Sequence, residues 1–153
     1  MKTIEVLGTQ HQDVLAQLAA LEGQWRGGGA ADVAGFVRFL EQEVVQHFTL
    51  EEEALFPVLE RHLSRDQGPL AVMHSEHQAF RELVDALGAA VRARDVDAQR
   101  VHAAEIIGLL RDHIMKEDHV LFPMALRLLG EDERHEVDER AAALDASASA
   151  APS

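Results

Sequence analysis

The sequence predicts an all-α protein, an antiparallel up-down four-helix bundle with an internal two-fold repeat plus a short C-terminal helix. Three observations predict it. Glycine and proline are confined to a few short stretches, and the sequence between them is rich in Ala, Leu, Glu, Gln and Arg, which favour helix. Those stretches, at Gly27-Gly28-Gly29, Ser64 to Pro69, Asp95 to Asp97 and Gly130, cut out four long segments and a short fifth. Within each long segment the seam residues recur with gaps alternating three and four, the period of a helix packed into a bundle.

The first segment carries Ile4, Leu7, His11, Val14, Leu18, Leu21 and Trp25 on its seam. The second, with Asp32 as candidate N-cap, carries Val37, Leu40, Val44, His47, Glu51, Ala54 and Val58. The third, with Asp66 as candidate cap, carries Leu70, Met73, His77, Phe80, Val84, Leu87 and Val91. The fourth, opened by Asp95, carries Ala103, Ile106, Leu110, His113, Glu117, Val120 and Met124. Pro57 and Pro123 each remove one helical hydrogen bond, so a bend is expected at both, either opening one end of the bundle or letting Phe56 and Phe122 cap the core. Residues 1–130 form the bundle, and the acidic stretch EDERHEVDERAAAL suggests a short helix over 131–145, docked on the bundle or on a neighbour. No large apolar residue comes after Leu144, so 146–153 is expected to be a disordered tail.

Each seam holds one histidine, and the second and fourth add a glutamate four residues later. At 1.5 Å rise per residue, His11 and His47 both lie roughly 22 Å from the first turn. His77 and His113 are likewise equidistant from the turn between the third and fourth segments, 16 residues on either side. An offset of 66 carries His11 to His77, His47 to His113, Glu51 to Glu117 and Leu55-Phe56-Pro57 to Leu121-Phe122-Pro123. The chain reads as one helical hairpin written twice.

With 153 residues and a 47% hydrophobic composition, a single domain can bury a full core. The absence of cysteine excludes disulfides, thiolate metal sites and cysteine nucleophiles, so any metal must be held by nitrogen and oxygen. Without tyrosine, a tyrosyl radical or phenolic proton donor is excluded too. A net charge of -13 argues against nucleic acid and anionic membranes as partners. No apolar run approaches the ~20 residues of a membrane span, and the N-terminus lacks a basic stretch leading into an apolar one, so a soluble, cytoplasmic protein is expected.

Burying an unpaired carboxylate costs several kcal/mol, and no Lys or Arg stands on the seams to neutralise Glu51 and Glu117. A pair of metal ions resolves this. Histidine at i and glutamate at i+4 share a helix face, so His47 with Glu51 and His113 with Glu117 can reach the centre from opposite sides, joined by His11 and His77. Each ion would gain two imidazoles and two carboxylate oxygens; a bridging oxo or hydroxo group adds a fifth ligand and leaves a position open. Imidazole with carboxylate suits iron, with zinc or manganese compatible on ligand type alone.

The pattern of His11, HFTLE at 47–51, SEH at 75–77 and HIMKE at 113–117 resembles the hemerythrin-like family, the HHE cation-binding domains, over roughly residues 4–129. The resemblance implies a four-helix bundle enclosing a non-haem di-iron centre, with His11, His47, Glu51, His77, His113 and Glu117 as metal ligands. The oxygen-carrying hemerythrins of invertebrates have a third-helix His-x-x-x-His pair and a fourth-helix His-x-x-x-x-Asp. Here Met73 occupies the seam position four before His77, His74 sits one step out of phase, and Glu117 has better register than Asp118. The set is therefore closer to the bacterial four-His/two-Glu type of the repair-of-iron-centres proteins, whose frequent cysteine-bearing domain has no counterpart in this sequence. His74 is read as a fifth ligand or a pocket-lining group. Glu52, Glu53, Glu76 and Asp118 face solvent or hold the ligand histidines. His62, His102, His119 and His135 fall off the seams.

Two functions are expected on these grounds. In the first, the chain binds iron and a small diatomic ligand, O2 or NO, for sensing, carriage or iron and oxidative-stress handling. In the second, the same centre is an oxidoreductase that decomposes hydrogen peroxide or reduces nitric oxide, which requires a proton donor near the open position.

Overall fold

A computed structural model describes residues 1–28 and 30–150, the side chain of Ala150 excepted; Gly29 of the expected first turn and residues 151–153 of the expected tail lie outside the described residues. Among the described residues there are five helices and no strand. They are α1 (Lys2–Arg26), α2 (residues 33–59), α3 (Pro69–Arg92), α4 (residues 96–128) and α5 (Glu131–Ala150). The first four pack in a ring, α1 on α2, α2 on α3, α3 on α4 and α4 on α1, as the repeat of hairpins requires. No helix among the described residues is long and apolar enough to cross a membrane.

Asp32 and Asp95 cap α2 and α4 as expected, accepting from the backbone N–H of Gly35 at 2.9 Å and of Ala98 at 3.1 Å. Asp66 does not cap α3. That helix opens instead on Gly68, at φ +80°, and then Pro69, whose missing N–H costs nothing in the first turn.

The bends expected at the prolines take the form of widened turns. Phe56 N–H donates to Glu51 O and Phe122 N–H to Glu117 O, five residues back rather than four, and α2 has a third such turn where Val45 N–H reaches Leu40 O. Each wide turn adds a residue and rotates the next stretch of chain about the helix axis. In α4 this overturns part of the expected seam. Val120 is 46% exposed, and its neighbours Leu121 and Ala125 face inward in place of Val120 and Met124.

The core has two parts. One, toward the α1–α2 and α3–α4 turns, contains Leu18, Leu21, Leu40, Val44, Phe48, Phe80, Leu87, Ile106 and Leu110. The other, toward the opposite end, contains Leu7, Leu55, Phe56, Leu59, Leu70, Met73, Leu121 and Phe122, with Val137 of α5. Each such side chain contributes about 1.5–3 kcal/mol on burial. The polar seam residues lie between the two.

The last helix docks on this chain's own bundle and continues to Ala150, past the boundary expected at 145. Val137 is fully buried there. Asp138 accepts from the backbone N–H of Thr3 at 2.9 Å and of Lys2 at 3.3 Å and from the Thr3 hydroxyl at 2.7 Å, satisfying donors at the start of α1. Arg140 Nη1 donates at 3.4 Å to Glu53 O in the wide turn of α2. Arg134 donates to the carbonyls of Leu126 and Leu129 at the end of α4.

Candidate metal centre

Among the described residues the buried polar side chains are Thr3, His11, His47, Glu51, His77, His113 and Glu117. Six of these seven are the candidate ligands, and the structure brings them together in two groups whose ligating atoms lie within 4.8 Å of one another. His11 and His47 converge with Glu117, and His77 and His113 with Glu51. The glutamates cross over: each joins the histidine pair of the other hairpin.

The carboxylates also span both pairs. Glu51 Oε1 lies 3.3 Å from His47 Nε2 and 3.4 Å from His77 Nε2. Glu117 Oε1 lies 2.9 Å from His11 Nε2, 3.4 Å from His113 Nε2 and 3.6 Å from His47 Nε2. Even so, both oxygens of Glu51, Oε2 of Glu117, and Nε2 of His77 and His113 are buried without a hydrogen-bond partner. Leaving a buried polar group unsatisfied costs about 1–3 kcal/mol, and more for charged ones. Cations in their midst would satisfy these five atoms, which face one another. The fit is to a metal that accepts nitrogen and oxygen donors.

Every candidate histidine is held from behind. His11 Nδ1 donates to Asp118 Oδ1 at 2.7 Å, His47 Nδ1 to Gln10 Oε1 at 2.8 Å, His77 Nδ1 to Glu52 Oε2 at 3.0 Å and His113 Nδ1 to Glu76 Oε1 at 3.0 Å. With Nδ1 carrying the proton, the Nε2 lone pair faces the interior, which is the tautomer a metal requires. Glu52 in turn accepts two bonds from Arg81, at 2.6 and 3.0 Å, and Glu76 one from Lys116 at 2.7 Å. Glu52, Glu76 and Asp118 thus hold histidines, one of the two roles open to them in the sequence. Gln10 was missed. It lies off the seam, and the signal that finds it is the repeat, whose offset of 66 aligns Gln10 with Glu76 and Glu52 with Asp118.

Electrostatics favour the ionised form of Glu51. Complete burial on its own raises the pKa of Glu51, but the charge of His47 and the pull of His113, His47 and His77 outweigh it and hold the carboxyl well below the ordinary range. Burial likewise opposes protonation of His113, yet Glu51 and Glu76 raise its pKa. At His11 burial wins, reinforced by repulsion from His47, and the pKa falls despite Asp118. Burial raises Glu52, but His77 and Arg81 bring it down to about 2.

Aromatic rings fix the imidazole planes. His11 stacks on Phe122 with centroids 5.5 Å apart, and His77 lies between Phe48 at 3.7 Å and Phe56 at 5.6 Å. An apolar pocket of about 320 Å³ opens between α3 and α4, lined by Pro69, Val72, Met73, Lys116, Val120 and Leu121. Met73 and Leu121 place it one helical turn from His77 and Glu117. His74 joins neither group. It is partly exposed, with Nε2 3.5 Å from Glu60 Oε1 and its ring edge-on to Phe56. His62, His102, His119 and His135 also stand apart, His62 pairing with Glu133 at 2.9 Å.

The family model described as the hemerythrin HHE cation binding domain matches residues 2–125. The iron-sulfur cluster repair protein YtfE of Salmonella typhimurium is 33% identical over 100 residues, 60% of this chain and 46% of that protein. Its counterpart of the same name in Enterobacter sp. is 33% identical over 103 residues, 61% of this chain and 47% of that protein. The chain therefore spans about half the length of the curated relatives it matches. No solved structure matches the chain.

Proposed function

The chain belongs to the hemerythrin HHE cation-binding domain family, and from that premise we propose that it holds a pair of non-haem iron ions that bind a small diatomic molecule, O2 or NO, in the handling of iron and oxidative stress. The observation that carries the reading is the set of partnerless buried donors: Glu51 Oε1 and Oε2, Glu117 Oε2, His77 Nε2 and His113 Nε2. His11 and His47 would hold one ion, His77 and His113 the other, with Glu51 and Glu117 shared between them and a bridging oxo or hydroxo group completing the pair. Iron held there would supply Lewis acidity and one-electron redox chemistry.

The chain's own residues do the rest. The four Nδ1 hydrogen bonds orient the imidazoles. Phe48, Phe56, Met73, Leu121 and Phe122, all buried, exclude water from above and below the polar layer. Gln10, Glu52, Glu76 and Asp118, the polar groups nearest the centre, are bonded to the outer faces of the histidines and so are engaged away from the interior. A dry interior with its proton donors turned outward supports capture of a small neutral ligand in preference to proton-coupled turnover. The relatives' name, iron-sulfur cluster repair, supports a place in iron and stress handling, and a cytoplasmic location belongs to the same proposal.

The test is to expose the reduced, iron-loaded protein to NO and to O2 and monitor the optical spectrum through repeated cycles of gas addition and removal. Stoichiometric, reversible spectral change supports the proposal. Sustained consumption of nitric oxide, or of hydrogen peroxide added in a third arm, with no stable adduct replaces it with the oxidoreductase reading.

A further inference from the structure

We infer that the two halves of the centre hold their ions unequally, with Gln10 setting the difference: the ion at His11 and His47 exchanges, and the ion at His77 and His113 stays. This rests on the iron reading above and concerns what surrounds the ligands.

The two histidine pairs are matched inside and unmatched outside. His77 and His113 both donate to carboxylates, Glu52 and Glu76, whereas His47 donates to the neutral amide of Gln10 and only His11 to a carboxylate. A carboxylate on Nδ1–H pushes electron density toward Nε2 and strengthens it as a metal donor; an amide does so much less. The supports also differ in how they are held. Arg81 grips Glu52 through two bonds and Lys116 grips Glu76, while Asp118, among the described residues, forms an ion pair with His11 alone. His77 is stacked on both faces by Phe48 and Phe56, and His11 by Phe122.

Net charge runs the other way, because Arg81 and Lys116 neutralise Glu52 and Glu76, whereas no Lys or Arg among the described residues pairs with Asp118. That opposing effect is small. The Arg81 and Lys116 side chains are 38% and 37% exposed, so water and salt screen their charges, while the hydrogen bond to Nδ1 acts directly through the imidazole ring. Donor strength and rigidity decide, and both favour the second pair.

The experiment loads the full chain anaerobically with iron(II) and tracks its removal by an excess of a chromogenic iron(II) chelator. The wild type should release iron in two phases of equal amplitude, separated by about tenfold or more in rate. Gln10→Glu, which copies Glu76 into the first half, should slow the fast phase about tenfold and leave the slow one; Glu76→Gln should speed the slow phase by a similar factor and leave the fast one. Tighter binding from Gln10→Glu is a gain that a merely structural role for Gln10 does not predict. Release of two ions at one rate overturns this inference alone, as does a fast phase unmoved by Gln10→Glu. A chain that takes up no iron(II) overturns the iron reading, and this inference with it.

Discussion

The first hairpin, α1 with α2, and the second, α3 with α4, put a histidine pair and a glutamate at the same level from sequences that otherwise diverge. Where side chains face the centre, the hairpins agree residue for residue: His11 with His77, His47 with His113, Glu51 with Glu117, and Phe56 with Phe122 behind them. Where side chains support that set from outside they differ, Gln10 against Glu76, Phe48 against Ile114, Leu7 against Met73. The wide turn goes with the first class. It begins at Glu51 in one hairpin and at Glu117 in the other, while the extra wide turn at Leu40–Val44 has no counterpart in α4. Chemistry at the centre tolerates few residue types, whereas a support can be any hydrogen-bond acceptor of the right length.

The comparison breaks first at the shared carboxylates. Glu51→Gln combined with Glu117→Gln should leave the helical content intact and abolish iron retention, read by elemental analysis beside circular dichroism. Removing the metal from the unaltered chain with a chelator should lower its melting temperature by on the order of 5–10 °C, since a ligand at a hundred times its Kd contributes about 2.7 kcal/mol. An unchanged melting curve would mean that the centre is stable without cations.

The wide turn in α4 is tested by neighbours. Leu121→Ala should cost about 2–5 kcal/mol in denaturant unfolding, whereas Val120→Ala should stay within about 0.5 kcal/mol. Equal costs would restore the seam expected from spacing alone.

A smaller effect distinguishes the ends of the bundle. Asp138→Ala should cost about 1 kcal/mol by leaving the first N–H groups of α1 uncapped. Burial raises the pKa of Asp138, but the Thr3 hydroxyl and the backbone N–H groups of Thr3 and Lys2 bring it below the ordinary value of 3.8. A carboxyl whose pKa is lower folded than unfolded stabilises the fold above the unfolded value and ceases to do so as pH falls through the folded one. The deficit of Asp138→Ala should therefore be full at neutral pH and disappear in acid below 3.8. Smallest of all, His74→Ala should leave iron content unchanged; a loss would return His74 to the ligand set.

The fold and the inward-facing set were legible because a polar residue in an apolar period is conspicuous, and six of them aligned by one repeat leave few alternatives. Three features were not legible, each for a physical reason. Seam spacing assumes 3.6 residues per turn, so a turn closed by a bond five residues back displaces Val120 without any change in composition. Gln10 carries no charge and sits off the seam, so only its alignment with Glu76 marks it. Asp138 reads as one acid among many in an acidic helix, and its role depends on where α1 begins in space, which no local pattern records. Asp66 shows the converse, a good cap residue passed over because Pro69 two residues after Gln67 fixes the helix start.

Anomalous diffraction at the iron edge from crystals of the protein purified without chelators tests the central claim most directly. Two peaks should appear in the polar layer, one among His11, His47 and Glu117 and one among His77, His113 and Glu51. A map with no peak there, or with iron only at outlying histidines such as His62 or His74, would contradict it.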